Sequence, residues 1–248
     1  MEHPTRVGLI GYGKMGKELE RLSDSFSLSI VEKFDIYNLL KNNDLSNIDV
    51  LIDFSAPSAA LSHIEYAVAH NTPLVLGVTG WYDSLSVVQD IVAKGKGSVI
   101  YGSNFSIGMN ILFTMTSLLS RLAYQSQIYD VSLHESHHRH KLDSPSGTAM
   151  SLSNIVLDEF KSKTVLCTES VNGRQILPHE LHVSSQRMGS VIGEHTLSFD
   201  SDCDTITLSH SAKNRDGFAR GALMAARWII GKQGLYEFSD VFEEVIRV

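Results

Sequence analysis

A glycine-paced turn near the start of the chain constrains its fold more than any other feature. Arg6–Gly11 (RVGLIG) is a short apolar run ending in glycine, and residues 11–16 (GYGKMG) follow the pattern G-x-G-x-x-G. Residues 14–26 then place Met15, Leu19, Leu22 and Phe26 at helical spacing. A strand, a tight turn and a helix in that order open a βαβ unit. Gly11 permits the turn, Gly13 lets backbone approach a pyrophosphate, and Gly16 lets the helix pack closely on the strand. The helix start offers N–H groups to phosphates, so the loop reads as dinucleotide-binding. An ordinary glycine turn is the plainer alternative.

Ser27–Glu32 (SLSIVE) reads as a second strand that ends in an acid. Glu32 lies 21 residues after Gly11, where a carboxylate can bond a ribose 2′-hydroxyl. Lys33 beside it can attract a 2′-phosphate, which admits NADPH as well as NADH. A solvated surface lysine is the other reading.

The rhythm then repeats. Asp49–Phe54 reads as a strand, with Ser55 and Pro57 as cap and first residue of a helix through His70. Leu74–Val78 is a fourth strand, Leu85–Lys94 a helix and Ser98–Gly102 a fifth strand. Such alternation implies a parallel sheet covered on both faces. Ligands bind such sheets beyond the carboxyl ends of the strands. The segments from Gly77 to Gly80 and from Gly102 to Phe105 are therefore expected at one crevice, where small residues let a nicotinamide lie close to backbone. Each also reads as a simple loop.

After about residue 106 the pattern changes. A helix covers roughly 108–124, Ile128–Glu135 alternates as a strand, and a polar loop leads to a helix from Thr148. Strands follow at 181–187, 191–199 and 204–211, the last with Ile206 and Leu208 on one face. Strands in succession suggest a mixed or antiparallel sheet in a second domain. Residues 217–231 are helical again, with Ala219, Leu223, Ala226 and Ile230 on one stripe, and return to the first domain. The expected class is α/β: a Rossmann-type parallel-sheet nucleotide domain plus a smaller α+β domain with a mixed sheet.

The 248 residues suffice for one large domain or two small ones, and 43% apolar with 20% charged residues excludes a disordered chain. The net charge of −7 argues against nucleic acid as a partner. No apolar run approaches the length of a membrane span and no secretory signal is visible, so the expected location is the cytoplasm. Cys167 and Cys203 lack metal-type spacing and read as buried thiols of a reducing compartment.

Four of the eleven histidines, His134, His137, His138 and His140, fall within seven positions, with Lys141 next. In an acidic chain this is a cationic spot suited to a small polyanion. The following loop opens a helix, so the N–H groups of Gly147 and Thr148 form an anion seat. Histidine also suits proton transfer at neutral pH. His134-Glu135-Ser136-His137-His138 formally satisfies the zinc-protease pattern H-E-x-x-H, but that pattern needs a helix and these residues alternate as a strand. No metal is expected.

The run E-S-H-H-R-H-K-L-D-S-P-S-G-T-A at 135–149 closely resembles the signature of dihydrodipicolinate reductases, E-[AL]-H-H-x-x-K-x-D-[AS]-P-S-G-T-A. Supporting matches are I-D-F-S-x-P at 52–57, G-V-T-G at 77–80, N-F-S-I-G-M-N at 104–110, G-E-H-T at 193–196 and F-A-x-G-A-L at 218–223. The resemblance implies reduction of a cyclic dicarboxylate with NADPH or NADH, on the diaminopimelate route to lysine. It implies a homotetramer of two-domain subunits in which the central sheet pairs between subunits. Residues 1–106 and 214–248 would bind the dinucleotide; 107–213 would bind substrate and form the oligomer.

The resemblance also implies roles. His137 would be the proton donor and acceptor, and Lys141 a second proton donor that draws in a carboxylate. His138, Gly147 and Thr148 would bind the substrate's carboxylates. Gly11, Tyr12, Gly13, Lys14, Met15 and Glu32 would line the cofactor, with Gly77, Val78, Thr79, Gly102, Ser103, Asn104 and Phe105. Two departures bear on cofactor preference. The glycine loop is one residue tighter than the common G-x-x-G-[RK]-M-G, and the stretch from Phe34 to Asn47 is short. A non-catalytic nucleotide-binding regulator and an amino-acid dehydrogenase are the alternative readings.

Overall fold

In the computed structural model, which describes residues 4–169 and 171–247, the chain divides into two units. One runs to Ile107 and resumes at Arg215; the other is Gly108–Asn214.

The first unit is built on strands β1 (Thr5–Ile10), β2 (Leu28–Phe34), β3 (Val50–Asp53), β4 (Leu74–Leu76) and β5 (Ser98–Tyr101). Helices α1 (Lys14–Ser23), α2 (Ala60–Ala69) and α3 (Leu85–Gly95) alternate with them. Together with a later strand from the chain's end, they form a six-stranded sheet in which every pairing is parallel. Both faces are apolar, as burial on two sides requires. Val7, Leu9, Val50 and Ile52 pack with Leu19 and Leu22 of α1. Leu51, Leu74, Leu76 and Val99 pack with Ile64 of α2 and Val88 of α3. With β1 between β2 and β3, strand order reverses direction at β1 and β3, the place where such sheets open a ligand crevice.

The second unit holds α4 (Ile107–Ser126, from the last residue of the first unit), β6 (Asp130–His137), α5 (Gly147–Glu159), β7 (Val165–Cys167), β8 (Glu180–Arg187), β9 (Glu194–Asp200) and β10 (Thr205–Ser211). The sheet order is β10-β9-β6-β8-β7, antiparallel on the β9 side of β6 and parallel on the β8 side. One face packs Leu133, Val183, Leu197 and Phe199 against Met109 and Leu112 of α4 and Leu152 and Val156 of α5. The chain returns to the first unit through α6 (Asp216–Ile229), β11 (Gly234–Glu237) and α7 (Phe242–Val245).

Several local expectations need correction. The second strand does not end at Glu32 but runs on to Phe34, whose carbonyl accepts the Gly11 N–H at 2.9 Å. Ser55 caps no helix: its own amide donates to Asp53 Oδ1 at 2.8 Å, and Pro57 opens a single 3₁₀ turn before α2. The first helix stops at Ser23, and Phe26 belongs to a 3₁₀ turn. β7 is a three-residue strand, too short to show a pattern in the sequence. Ile230 lies past the end of α6 in extended backbone and is exposed. Cys167 is buried but Cys203, in the β9–β10 turn, is exposed.

Candidate active site

β6 alternates Val131, Leu133, Glu135 and His137 on its buried face. The first two residues join the core, and the last two carry that face on to the strand's carboxyl end as polar groups. Register brings their neighbours. Glu135 stands opposite His195 on β9, and His137 opposite Arg187 on β8. Glu135 is fully buried. One of its oxygens takes a short hydrogen bond from His137 Nδ1; the other accepts Arg187 Nη2 at 2.8 Å and the Ser146 N–H at 3.3 Å.

These contacts decide the charges. Burial pushes the Glu135 carboxyl up, but hydrogen bonds led by that of Arg187 outweigh it and hold the group below its ordinary range. Burial lowers His137; Glu135 opposes this, while Lys141 and Arg187 add to it. His195, packed edge-on against His137 with ring centroids 5.3 Å apart, is pushed down to about 4 by burial and then by His137. The donor atoms of Glu135, His137 and His195 lie within 4.8 Å of one another. Arg187 already neutralises the only carboxylate among them, so the trio reads as an ion-pair network and not as a seat for a cation.

After β6 the chain turns through His138 to the loop that opens α5. Ser146 caps this helix, its Oγ accepting the Ala149 N–H at 3.1 Å and standing 3.3 Å from His195 Nε2. Lys141 Nζ lies 2.8 Å from Asp143 Oδ1, and the Asp143 carboxyl is held below its ordinary range by Lys141 first, with the Gly147 amide adding to the hold. Two of the groups expected to hold a substrate carboxylate thus act together on a carboxylate of the chain itself. Thr148 follows Gly147 in the first turn of α5. His138 is half-buried, and its Nδ1 has no partner among the described residues. His134 sits on the other face of β6, bonded to Ser184 Oγ at 2.8 Å, so the H-E-x-x-H spacing is not on a helix.

In the first unit Gly11 has φ +86°, a left-handed conformation that favours glycine, and a Cβ there would stand 2.8 Å from the Ser55 Cα. A Cβ on Gly16 would stand 2.5 Å from the Gly11 carbonyl oxygen, so helix and turn meet only without one. Gly13 faces open space. No side chain caps α1 and no acid lies in its first turn, which suits a phosphate at its start. Beside this turn lies a pocket of about 450 Å³ lined by Gly11, Phe34, Asp35, Leu39, Ser55 and His63, among others. Tight glycine turn, open helix start and adjoining pocket together fit a dinucleotide.

The other expected cofactor residues are placed less uniformly. Glu32 does not line that pocket; it is exposed and accepts Asn38 Nδ2 at 2.9 Å. Lys33 is committed elsewhere, 2.6 Å from Glu20 Oε1 and over the Tyr12 ring at 4.1 Å, and Glu20 holds its pKa up. Tyr12 in turn bonds Glu20. Lys14 and Met15 open α1. Gly77 is small because the Phe54 ring occupies its side-chain space, and Gly102 because Phe238 lies close. Val78 and Phe105 are buried in the core, Thr79 and Ser103 are exposed, and Asn104 Oδ1 accepts the Ser106 N–H at 2.9 Å.

Sequence reasoning missed Glu135, Arg187, Ser146, His195 and Asp35. Glu135 carried a usable signal, since i and i+2 share a strand face and place it beside His137. Arg187 and His195 reach the site only through register with strands some 50 residues further on.

Residues 5–105 match the family described as dihydrodipicolinate reductase, N-terminus, and residues 108–242 its C-terminus. Among curated relatives, the 4-hydroxy-tetrahydrodipicolinate reductase of Christiangramia forsetii is 36% identical over 97% of this chain and 99% of its own. That of Rickettsia bellii is 37% identical over 97% and 95%. The solved dipicolinate-bound dihydrodipicolinate reductase of Paenisporosarcina sp. TG-14 shares the fold, with a TM-score of 0.75 at 23% identity over 96% of this chain and 99% of that one. Both halves of the chain match the two halves of one family, and full-length relatives exceed a third identity, so this chain belongs to the dihydrodipicolinate reductases.

Proposed function

We propose that the chain reduces dihydrodipicolinate, formed from 4-hydroxy-tetrahydrodipicolinate, to tetrahydrodipicolinate on the diaminopimelate route to lysine. The observation that carries this reading is the Lys141 ammonium 2.8 Å from a carboxylate, that of Asp143, in the loop that follows a buried Glu135–His137 pair. The substrate is a conjugated cyclic imine with two carboxylates. When bound, reduced nicotinamide supplies a hydride to a ring carbon of that conjugated system.

Lys141, His138 and the amides of Gly147 and Thr148 bind the carboxylates and orient the ring, which lowers the entropic part of the barrier. Hydride addition leaves an electron-rich enamine. His137, assisted by Lys141, delivers the proton to the enamine carbon, which restores the ring C=N and gives tetrahydrodipicolinate.

The glycine loop, α1 and the pocket beside Gly11 hold the nucleotide. Asp35 takes the role first given to Glu32. It is the residue after the end of β2, it lines the pocket, and its Oδ1 is fixed by the N–H groups of Tyr37 and Asn38 at 2.8 and 2.9 Å. A carboxylate there accepts a ribose 2′-hydroxyl and repels a 2′-phosphate, and with Lys33 tied to Glu20 this favours NADH.

The assembly is a homotetramer in the cytoplasm. Support comes from α4, which exposes Ile111, Met115, Leu118 and Leu122 along one stripe. No helix among the described residues is long and apolar enough to cross a membrane. A bacterial strain that requires diaminopimelate because it lacks its own reductase tests the whole reading. Supplied with this chain it grows without diaminopimelate; failure to grow despite folded protein contradicts the reading.

A further inference from the structure

The assignment of a proton to His137 leaves open which ring nitrogen carries it. We infer that Glu135 is the positioning residue of His137, fixing the proton on Nδ1 and presenting Nε2 to the substrate. The inference rests on the reading of His137 as the proton-transfer group.

A fully buried carboxyl would ordinarily take up a proton, but Glu135 sits between Arg187 Nη2 at 2.8 Å and the Ser146 N–H at 3.3 Å. Both are donors, and both favour the carboxylate. Arg187 is itself anchored by the Asp143 carbonyl at 2.6 Å. An ionised carboxylate only accepts hydrogen bonds, so the short contact to His137 Nδ1 places a proton on that nitrogen. The ring's other nitrogen lies beside Gly193 and is left uncrowded because that residue has no side chain. A Cβ on Gly193 would stand 3.0 Å from His137 Nε2 and 3.4 Å from Cδ2.

The proton balance follows. The imidazolium carries protons on both nitrogens; Nε2–H gives its proton to the electron-rich ring carbon of the substrate. The neutral ring that remains still donates Nδ1–H to Glu135, and solvent restores the proton on Nε2. Of the groups facing the ring, Lys141, Arg187 and His195 disfavour the imidazolium or leave it unaided, and His210 on β10 acts on His195. Among the described residues Glu135 is the negative charge that acts on the ring, so it stabilises the state that donates.

Two measurements test this. In proton–nitrogen long-range correlation spectra, the His137 signals, identified by their loss in His137→Gln, are expected to show a protonated Nδ1 and a bare Nε2 in the neutral ring. A proton on Nε2 overturns the inference, and this readout needs no turnover. In Glu135→Gln, kcat is expected to fall about 10–100-fold, and the pH above which it declines to move down by about 1–2 units, the usual effect of removing an adjacent opposite charge. A folded Glu135→Gln enzyme with the wild-type pH profile also overturns it. If the variant does not fold, the wild-type spectrum decides alone. Full turnover by His137→Gln would instead defeat the functional reading and leave the tautomer result standing.

Discussion

The Lys141 ammonium lies 2.8 Å from the carboxylate of Asp143, two residues further along the same loop. A substrate carboxylate must displace or share that partner, so binding and catalysis both pass through Lys141. Lys141→Ala is expected to raise KM about tenfold, roughly 1.4 kcal/mol, and to lower kcat as well. His137→Gln is expected to lower kcat about 10²–10⁴-fold, the usual cost of a lost general acid, with KM little changed. Steady-state kinetics on both variants check the division of labour; equal KM effects in the two would contradict it.

Cofactor choice separates Asp35 from Glu32. The wild type is expected to favour NADH, and Asp35→Ser to shift the NADH-to-NADPH ratio of kcat/KM by about tenfold toward NADPH, some 1.4 kcal/mol. Glu32→Gln should leave the ratio unchanged, because Glu32 faces Asn38 and not the pocket. A ratio that moves with Glu32 and not with Asp35 would restore the first assignment.

Stability should fall on mild acidification. A histidine in the unfolded chain titrates near 6.5, whereas folded His195 stays neutral down to about 4. Between those values the unfolded state takes up a proton that the folded state refuses, so stability present above pH 6.5 is lost as pH drops through the window. Burial lowers His137 and His210 in the same sense. Thermal unfolding between pH 7 and 4 should show a declining midpoint, and His195→Gln a shallower decline. An unchanged slope in the variant would remove His195 from the account.

Gly16 offers a combined test of fold and function. A Cβ there meets the Gly11 carbonyl oxygen at 2.5 Å, backbone that cannot swing aside as a flexible side chain would. Gly16→Ala is expected to cost about 1–3 kcal/mol in stability, as overpacking does, and to weaken nucleotide binding together with it. Calorimetric titration with NADH alongside thermal unfolding reads both. Unimpaired binding would mean the loop does not cradle the dinucleotide.

Strand–helix alternation made the parallel sheet legible, because two apolar faces leave an unmistakable run in each strand. It did not reveal where β2 stops. The pairing of β1 with β2 shifts between Val7 and Gly8, so Val7 faces Ile30 while Gly8 faces Glu32. That irregularity moves the pairing on by one residue, so Ile10 meets Phe34 and not Lys33, and Asp35 follows the strand's end beside the glycine turn. The nearness of Lys141, Gly147 and His137 was readable, because they lie within one loop and its two flanking elements. The partners that set the charge of His137 were not, since Arg187 and His195 come from other strands and their register is a property of the folded sheet. The exposure of Cys203 is not legible in composition, which says nothing of a hairpin turn.

The most direct measurement follows reduced-nicotinamide absorbance in the presence of freshly generated dihydrodipicolinate, with NADH and NADPH in parallel. The account predicts substrate-dependent oxidation of the cofactor, faster with NADH, and formation of tetrahydrodipicolinate. Tight cofactor binding with no substrate-dependent oxidation would contradict it.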